Sequence, residues 1–373
     1  MSRRTDLTKR SNLTKRSNRA RVALPALVLG SVLVVSACGG GSKKVAVPTT
    51  VAPTTVAPTT VAPTTTTTTT VPPLPTAPLT GLPVTSPAVL TRPAVVVKID
   101  NVDQARPQTG INQADVIYEE MVEGGLTRLA AVFQSQLPDP VGPIRSGRTT
   151  DIGIIGDLNH PVLVYSGANS GFLAALSEAP ATNVNADNHP SLFYRGGTHP
   201  APHNYFADAT DLEAQAPAGS PPPPALFTYG AKGHAPAAGA TPMATATMTF
   251  PAARAVWTWN AGTGVFNRNQ NGTADVDVTG APVGATNVVI QTIPYSTALV
   301  EAGGTIIPEG NLVGSGKAWV LTGGDEVPAT WSRSSLTAVT TYTDSAGNPI
   351  VMNPGQTWVE LLPTSSAAPT FTP

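Results

Sequence analysis

The stretch VIYEEMVEGGLTRLAAVFQ, residues 116–134, decides the fold. Its first half suits a helix or a strand. Gly124-Gly125 at its centre tips the reading, because two glycines supply the positive φ angles of a two-residue hairpin turn. The stretch therefore reads as two strands, residues 116–123 and 126–134. On that turn Glu119, Met121 and Glu123 share a face with Leu126 and Arg128, which places Arg128 between two glutamates.

Outward from the hairpin, AVVVKI (94–99) and PVLVY (161–165) are short apolar runs of the kind that form buried strands. Residues 149–158 and 170–179 read as helices. Strands mixed with helices give an α+β (or α/β) N-terminal domain with a mixed sheet over residues 78–232. A Pro/Ala/Gly-rich segment follows, with a linker at 233–245. Residues 246–364 read as a small all-β domain with strands at 256–260, 288–292, 318–322, 336–343 and 357–362. Asn271-Gly272, Gly323-Gly324 and Ser345-Ala346-Gly347-Asn348 are its turn signals. All five tryptophans lie there. Trp257 and Trp259 share a sheet face, for core packing or for stacking on sugars.

The chain has 373 residues, 41% hydrophobic and 12% charged, enough apolar material for a core. Residues 1–21 carry eight basic side chains against Asp6 alone. The uncharged run at 22–35 falls short of the about 20 residues of a membrane-spanning helix, so residues 1–37 read as a secretory signal peptide. The single cysteine, in Val35-Ser36-Ala37-Cys38-Gly39, resembles a bacterial lipobox. Acylation of Cys38 would give stable anchoring, since two or three acyl chains hold where one does not. The alternative is an ordinary signal peptide with an incidental cysteine. Residues 38–77 repeat Val-Ala-Pro-Thr-Thr and run into a threonine tract, with no charge between Lys44 and Arg92. Such a segment cannot bury a core and reads as a disordered stalk, with a reach on the order of 100 Å at about 3.1 Å per residue. Its threonines are bare or carry sugars. Once the leader is removed, 14 Lys+Arg face 22 Asp+Glu, so the mature chain is acidic. It is expected on the outer face of the bacterial cytoplasmic membrane, bound through its lipid, with a cell-wall or protein partner and no nucleic acid.

Arginine outnumbers lysine in the first domain, and guanidinium suits bidentate binding of phosphate or carboxylate. Arg145-Ser146-Gly147-Arg148 precedes a helix, where backbone N–H groups assist. Arg106, Arg145, Ser146, Arg148, Arg195, His203 and Asn204 are the candidate ligand-binding residues. The competing reading pairs the arginines with Asp100, Asp115, Glu119, Glu120 and Glu123, because a buried charge demands a partner. His203 would bind phosphate or act as a base near neutral pH, or else bond to backbone as an ordinary loop histidine. Glu119 and Glu123 on one strand stand roughly 13 Å apart, too far for a glycosidase pair. Ser166-Gly167-Ala168 lacks the G-x-S-x-G elbow. No metal site and no cofactor are expected: H-E-x-x-H, Walker and G-x-G-x-x-G patterns are absent from the sequence.

Several stretches together carry a resemblance. In the first domain they are Pro78-Leu79-Thr80-Gly81-Leu82, Ile99-Asp100-Asn101, Ala105-Arg106-Pro107-Gln108-Thr109-Gly110, Gln113-Ala114-Asp115, Tyr118-Glu119, residues 122–128, residues 141–148 and Pro202-His203-Asn204-Tyr205. In the second they are residues 314–320, Thr330-Trp331-Ser332-Arg333 and residues 353–359. With these the chain resembles the YerB-like lipoprotein family, a domain of unknown function (3048) with N- and C-terminal parts. The resemblance implies a lipid-anchored two-domain protein and brings no activity and no catalytic residues. The expected function is thus binding of an anionic envelope ligand or a partner protein through an arginine-lined pocket. The alternatives are an envelope enzyme acting on phosphate-linked or glycan polymers, and a module whose arginine–glutamate pairs serve the fold alone.

Overall fold

The computed structural model describes residues 74–231, 233–300 and 303–373. The signal peptide, Cys38 and nearly all of the expected stalk lie outside the described residues. The hairpin at 116–134 forms the centre of the fold. Strand β2 (Val116–Met121) pairs antiparallel with β3 (Thr127–Phe133). The turn between them is one residue wider than the sequence reading, with Glu123–Gly125 forming a 3-10 turn closed by a bond from Val122 N–H to the Leu126 carbonyl. Both glycines take left-handed φ, 69° and 74°, as the turn requires. The wider turn shifts the register by one, and a one-residue shift moves side chains to the other face. Arg128 therefore stands opposite Glu120, not on the Glu119 face as the sequence suggested.

β1 (Val95–Asp100) pairs antiparallel with the outer side of β3, and β4 (Val162–Tyr165) and β5 (Thr182–Asn185) follow in parallel. On the other side of β2 lies Thr357–Pro363, in parallel, followed by Asn287–Ile293, Gly314–Thr322, Asp325–Arg333 and Thr341–Thr343. With Thr241–Pro242 this is one mixed sheet of 11 strands. Its strands come from both sides of residues 233–245, so backbone hydrogen bonds run unbroken from the first part of the chain to the second. The expected strand at 336–343 is realised only as Thr341–Thr343. The residues before it leave the sheet because the Leu336 carbonyl is held by Arg333 and lies against Gly156.

The chain is mostly β. Its α-helices among the described residues are short: α1 (Thr150–Ile155), α2 (Ser170–Ser177) and Ala209–Glu213. None is long and apolar enough to cross a membrane. Alternation along the strands gives the large sheet two apolar faces. Val96, Val116, Tyr118, Ala130, Val132, Val359 and Leu361 are covered by Ile154 and Ile155 of α1, by Phe172 and Leu176 of α2, and by Leu226 and Phe227. Val97, Ile99, Ile117, Leu129, Phe133 and Trp358 are covered by a second, antiparallel sheet. That sheet brings Met248, Phe250, Trp257 and Phe266 to the contact. Trp257 is fully buried and so belongs to the core, and burial of such a side chain contributes about 1.5–3 kcal/mol.

The two faces also bury charge. Adjacent residues of β2 point to opposite layers. Glu119 accepts from Arg268 of the second sheet, whose guanidinium also reaches Asp275 and lies 4.7 Å over the Trp358 ring. Glu120 faces the helices, where it meets Lys98.

Candidate functional site

The helical face of the sheet carries a cluster of charged groups at the end of β1, where four loops meet. Register places Asp100 of β1 opposite Arg128 of β3, and Arg128 opposite Glu120 of β2. The loop before α1 lies along β1: Asp100 N–H donates to the Pro143 carbonyl (2.9 Å) and Arg145 N–H to the Lys98 carbonyl (2.8 Å). Ile144 N–H in turn donates to the Tyr205 carbonyl, tying this loop to the ribbon Tyr194–Arg195/Tyr205–Phe206 that presents His203. Gly147 packs against the Phe172 ring of α2, where a Cβ would come within 2.5 Å of the ring.

Asp100 is buried, with one oxygen 3.1 Å from Arg145 Nε and hydrogen-bonded to His203 Nδ1 at 2.7 Å. Beside them Glu123 accepts from Arg148 Nε and Nη2, a two-bond carboxylate–guanidinium contact, and lies 3.7 Å from Arg128 Nη2. Arg128 Nη1 donates to the Ser146 carbonyl (3.1 Å), which joins the two groups through one loop. The site opens at Arg145 and His203, whose side chains remain 26% and 18% exposed. Beneath it Lys98 is fully buried, 2.8 Å from Asp151 and bonded to Glu120.

The electrostatics follow from this geometry. Three guanidiniums, Arg128, Arg145 and Arg148, share two carboxylates, Asp100 and Glu123. Burial, then the charges of Arg148 and Arg145, push Arg128 down to about 10. Burial alone pushes Glu123 up, but hydrogen bonds and charge from Arg148 outweigh it and hold the carboxyl below its ordinary range. Burial, then the Asp151 charge, pushes Glu120 up to about 7 against the pull of Lys98.

The arginines do pair with acids, and the third guanidinium over Asp100 and Glu123 is matched below by the second carboxyl beside Lys98. Arg145, Arg148, His203 and Ser146 come together with Asp100, Glu123 and Arg128. Asn204 is next to His203 and accepts from Arg195, whose guanidinium lies 4.0 Å over the Tyr205 ring on the exposed ribbon. Arg106 does not join them. It pairs with Asp103 at a separate 410 Å³ depression lined also by Asn271 and Asp275. Asp115 accepts from Gln134 N–H and Ser135 N–H at the far end of the hairpin, where burial pushes it up to about 6. Glu119 belongs to the other face. The sequence reading missed Lys98 and Asp151 as parts of the cluster's support. A lysine inside the apolar run AVVVKI was the available signal, because a charge there requires a buried partner. Among the described residues, no group of three or more His, Cys, Asp or Glu side chains is placed to hold a metal ion.

Residues 79–221 match the N-terminal domain, and residues 246–359 the C-terminal domain, of "Protein of unknown function (DUF3048)". A 119-residue stretch is 36% identical to the Bacillus subtilis (strain 168) protein named "Putative lipoprotein YerB". That stretch is 32% of this chain and 36% of the relative, so the match spans about a third of the relative's length. The crystal structure of YerB protein from Bacillus subtilis has the same fold, with a TM-score of 0.67 at 23% identity over 80% of this chain and 99% of that one. Matched on both sides of residues 233–245 and alike in fold, the chain belongs to the DUF3048 family.

Proposed function

We propose that this protein is a lipid-anchored extracytoplasmic binding protein, and that it holds an anionic group of a cell-envelope ligand at Arg145, Arg128, Arg148 and His203. The observation that carries the reading is convergence: three part-buried guanidiniums and His203 gather on Asp100 and Glu123, with Arg145 and His203 reaching solvent. An incoming phosphate or carboxylate accepts charge-assisted bonds from donors already fixed in place. The anchor rests on Cys38 in its lipobox-like setting and on the name of the Bacillus relative. Location on the outer face of the cytoplasmic membrane follows from the same two facts.

Thermal unfolding of the purified full chain with inorganic pyrophosphate, polyphosphate and wall fragments tests the reading. Binding raises the melting temperature by mass action, by about 2.7 kcal/mol of stabilisation at a hundredfold excess over Kd. Arg145→Gln is expected to abolish the rise. A rise that survives Arg145→Gln and Arg148→Gln together, or no rise with any anion, overturns it.

A further inference from the structure

We infer that the same site is catalytic, with His203 as the general base in hydrolysis of a phosphate ester held by the three arginines; the inference rests on the anion-binding reading above. Asp100 fixes the histidine. An ionised carboxylate only accepts hydrogen bonds, so in the neutral imidazole Nδ1 carries the hydrogen that bonds Asp100 at 2.7 Å. Nε2 then keeps its lone pair. No protein group among the described residues bonds Nε2, and the ring is part-exposed at the open side of the site. A histidine bonded through one nitrogen to a buried carboxylate, with the other facing solvent, has the arrangement of an oriented base.

The surroundings select the chemistry. Arg145 shares the Asp100 oxygen with His203, so a guanidinium and the base converge on one carboxylate atom. Arg128 is anchored to the Ser146 carbonyl of the same loop, and Arg148 flanks it on Glu123. Guanidiniums fixed before the substrate arrives stabilise the charge that collects on phosphoryl oxygens in the transition state. No side-chain hydroxyl among the described residues is hydrogen-bonded to His203, so the proposed nucleophile is water. His203 Nε2 takes one proton from that water, and its oxygen forms the new bond to phosphorus. The bond from phosphorus to the leaving oxygen breaks with its electron pair, and the imidazolium returns the proton to that oxygen. One water is consumed, and a phosphate monoester (or inorganic phosphate) and an alcohol are formed. Asp100 acts as a positioning residue.

The test uses the purified full chain with bis(4-nitrophenyl) phosphate and 4-nitrophenyl phosphate, read by nitrophenolate release, and with pyrophosphate binding by calorimetry. Hydrolysis of at least one ester is expected, reduced about 100- to 10,000-fold by His203→Gln, the span of general-base catalysis. His203→Gly is expected to regain turnover with added imidazole, which a merely structural histidine does not allow. Asp100→Asn is expected to lower kcat by a larger factor than it raises KM, although Arg145 loses its carboxylate partner. If pyrophosphate binds and neither ester is hydrolysed above the buffer blank, the catalytic inference fails and the binding reading stands. Hydrolysis that His203→Gln leaves intact also overturns it. If pyrophosphate does not bind, both fall.

Discussion

Lys98→Met tests whether the buried charges under the site are a paired unit. Lys98, Glu120 and Asp151 have no exposed side-chain surface, and the ammonium lies between the two carboxyls. Methionine fills a similar volume without the charge. Its removal leaves two buried carboxyls without the ammonium between them, and breaking a buried pair in this way costs about 3–5 kcal/mol. The pH dependence identifies the cause. In the wild type Glu120 already sits at about 7, above its ordinary 4.5, because of burial first and the Asp151 charge second. A carboxyl raised on folding favours the native state below its unfolded value, and that contribution is lost as pH climbs through the folded value. In Lys98→Met the Glu120 carboxyl loses the lowering pull of the ammonium and is raised further, so the native state binds up to one proton more than the wild type as pH approaches and passes 7. The stability gap between variant and wild type should then widen with pH, by at most about 1.4 kcal/mol per pH unit. Urea unfolding at pH 5, 6 and 7 measures it. A variant as stable as the wild type, or a gap that stays flat across this range, would refute the argument.

The layer between the sheets gives a paired contrast. Burial first, then the neighbouring Glu119, push Glu360 well above its ordinary range, and its Oε1 accepts from Trp257 Nε1–H at 2.8 Å. Glu360→Gln keeps that acceptor and should cost less than about 1 kcal/mol, whereas Glu119→Gln strips Arg268 of a partner and should cost about 3–5 kcal/mol; urea unfolding of both separates them. Gly147→Ala should cost about 1–3 kcal/mol by overpacking, because the new Cβ meets a fully buried Phe172 ring that stands edge-on against Tyr165. Its melting temperature and its pyrophosphate affinity should fall together, since Gly147 lies between Arg145 and Arg148.

The elements were legible where one local signal fixed them. Gly124-Gly125 announced the hairpin, and apolar runs announced β1 and β4. What the sequence left hidden was which strands meet. Thr357–Pro363 reads as one more β-rich segment near the end of the chain, yet it pairs in parallel with β2, more than 230 residues earlier. Parallel pairing needs no adjacency in sequence, so spacing carries no trace of it. The site suffered from the same gap. Arg145, Arg148, His203 and Asp100 were legible as candidates by residue type, but their company was set by register. One added residue in the Glu123–Gly125 turn moved Arg128 from the Glu119 face to the Glu120 face, and with it onto the arginine side of the sheet. Arg106, similar by type and close in sequence to Asp100, goes to a different depression because Asp103 is within its reach.

The body is acidic while the proposed site presents guanidiniums, and the difference bears on the kind of ligand proposed for it. Beyond residue 73 the chain has 12 Lys+Arg against 22 Asp+Glu, so a distant anion meets a repulsive field. That field is screened over about 8 Å at physiological ionic strength, whereas a bidentate guanidinium contact acts at bond length and within a part-buried site. A long polyanion must lay its remaining charges across acidic surface after its first contact. A single phosphate on a neutral or apolar carrier need not. The arrangement therefore favours one compact anionic group over a chain of them, and it separates this site from the broad basic surfaces that gather polyanions by charge alone.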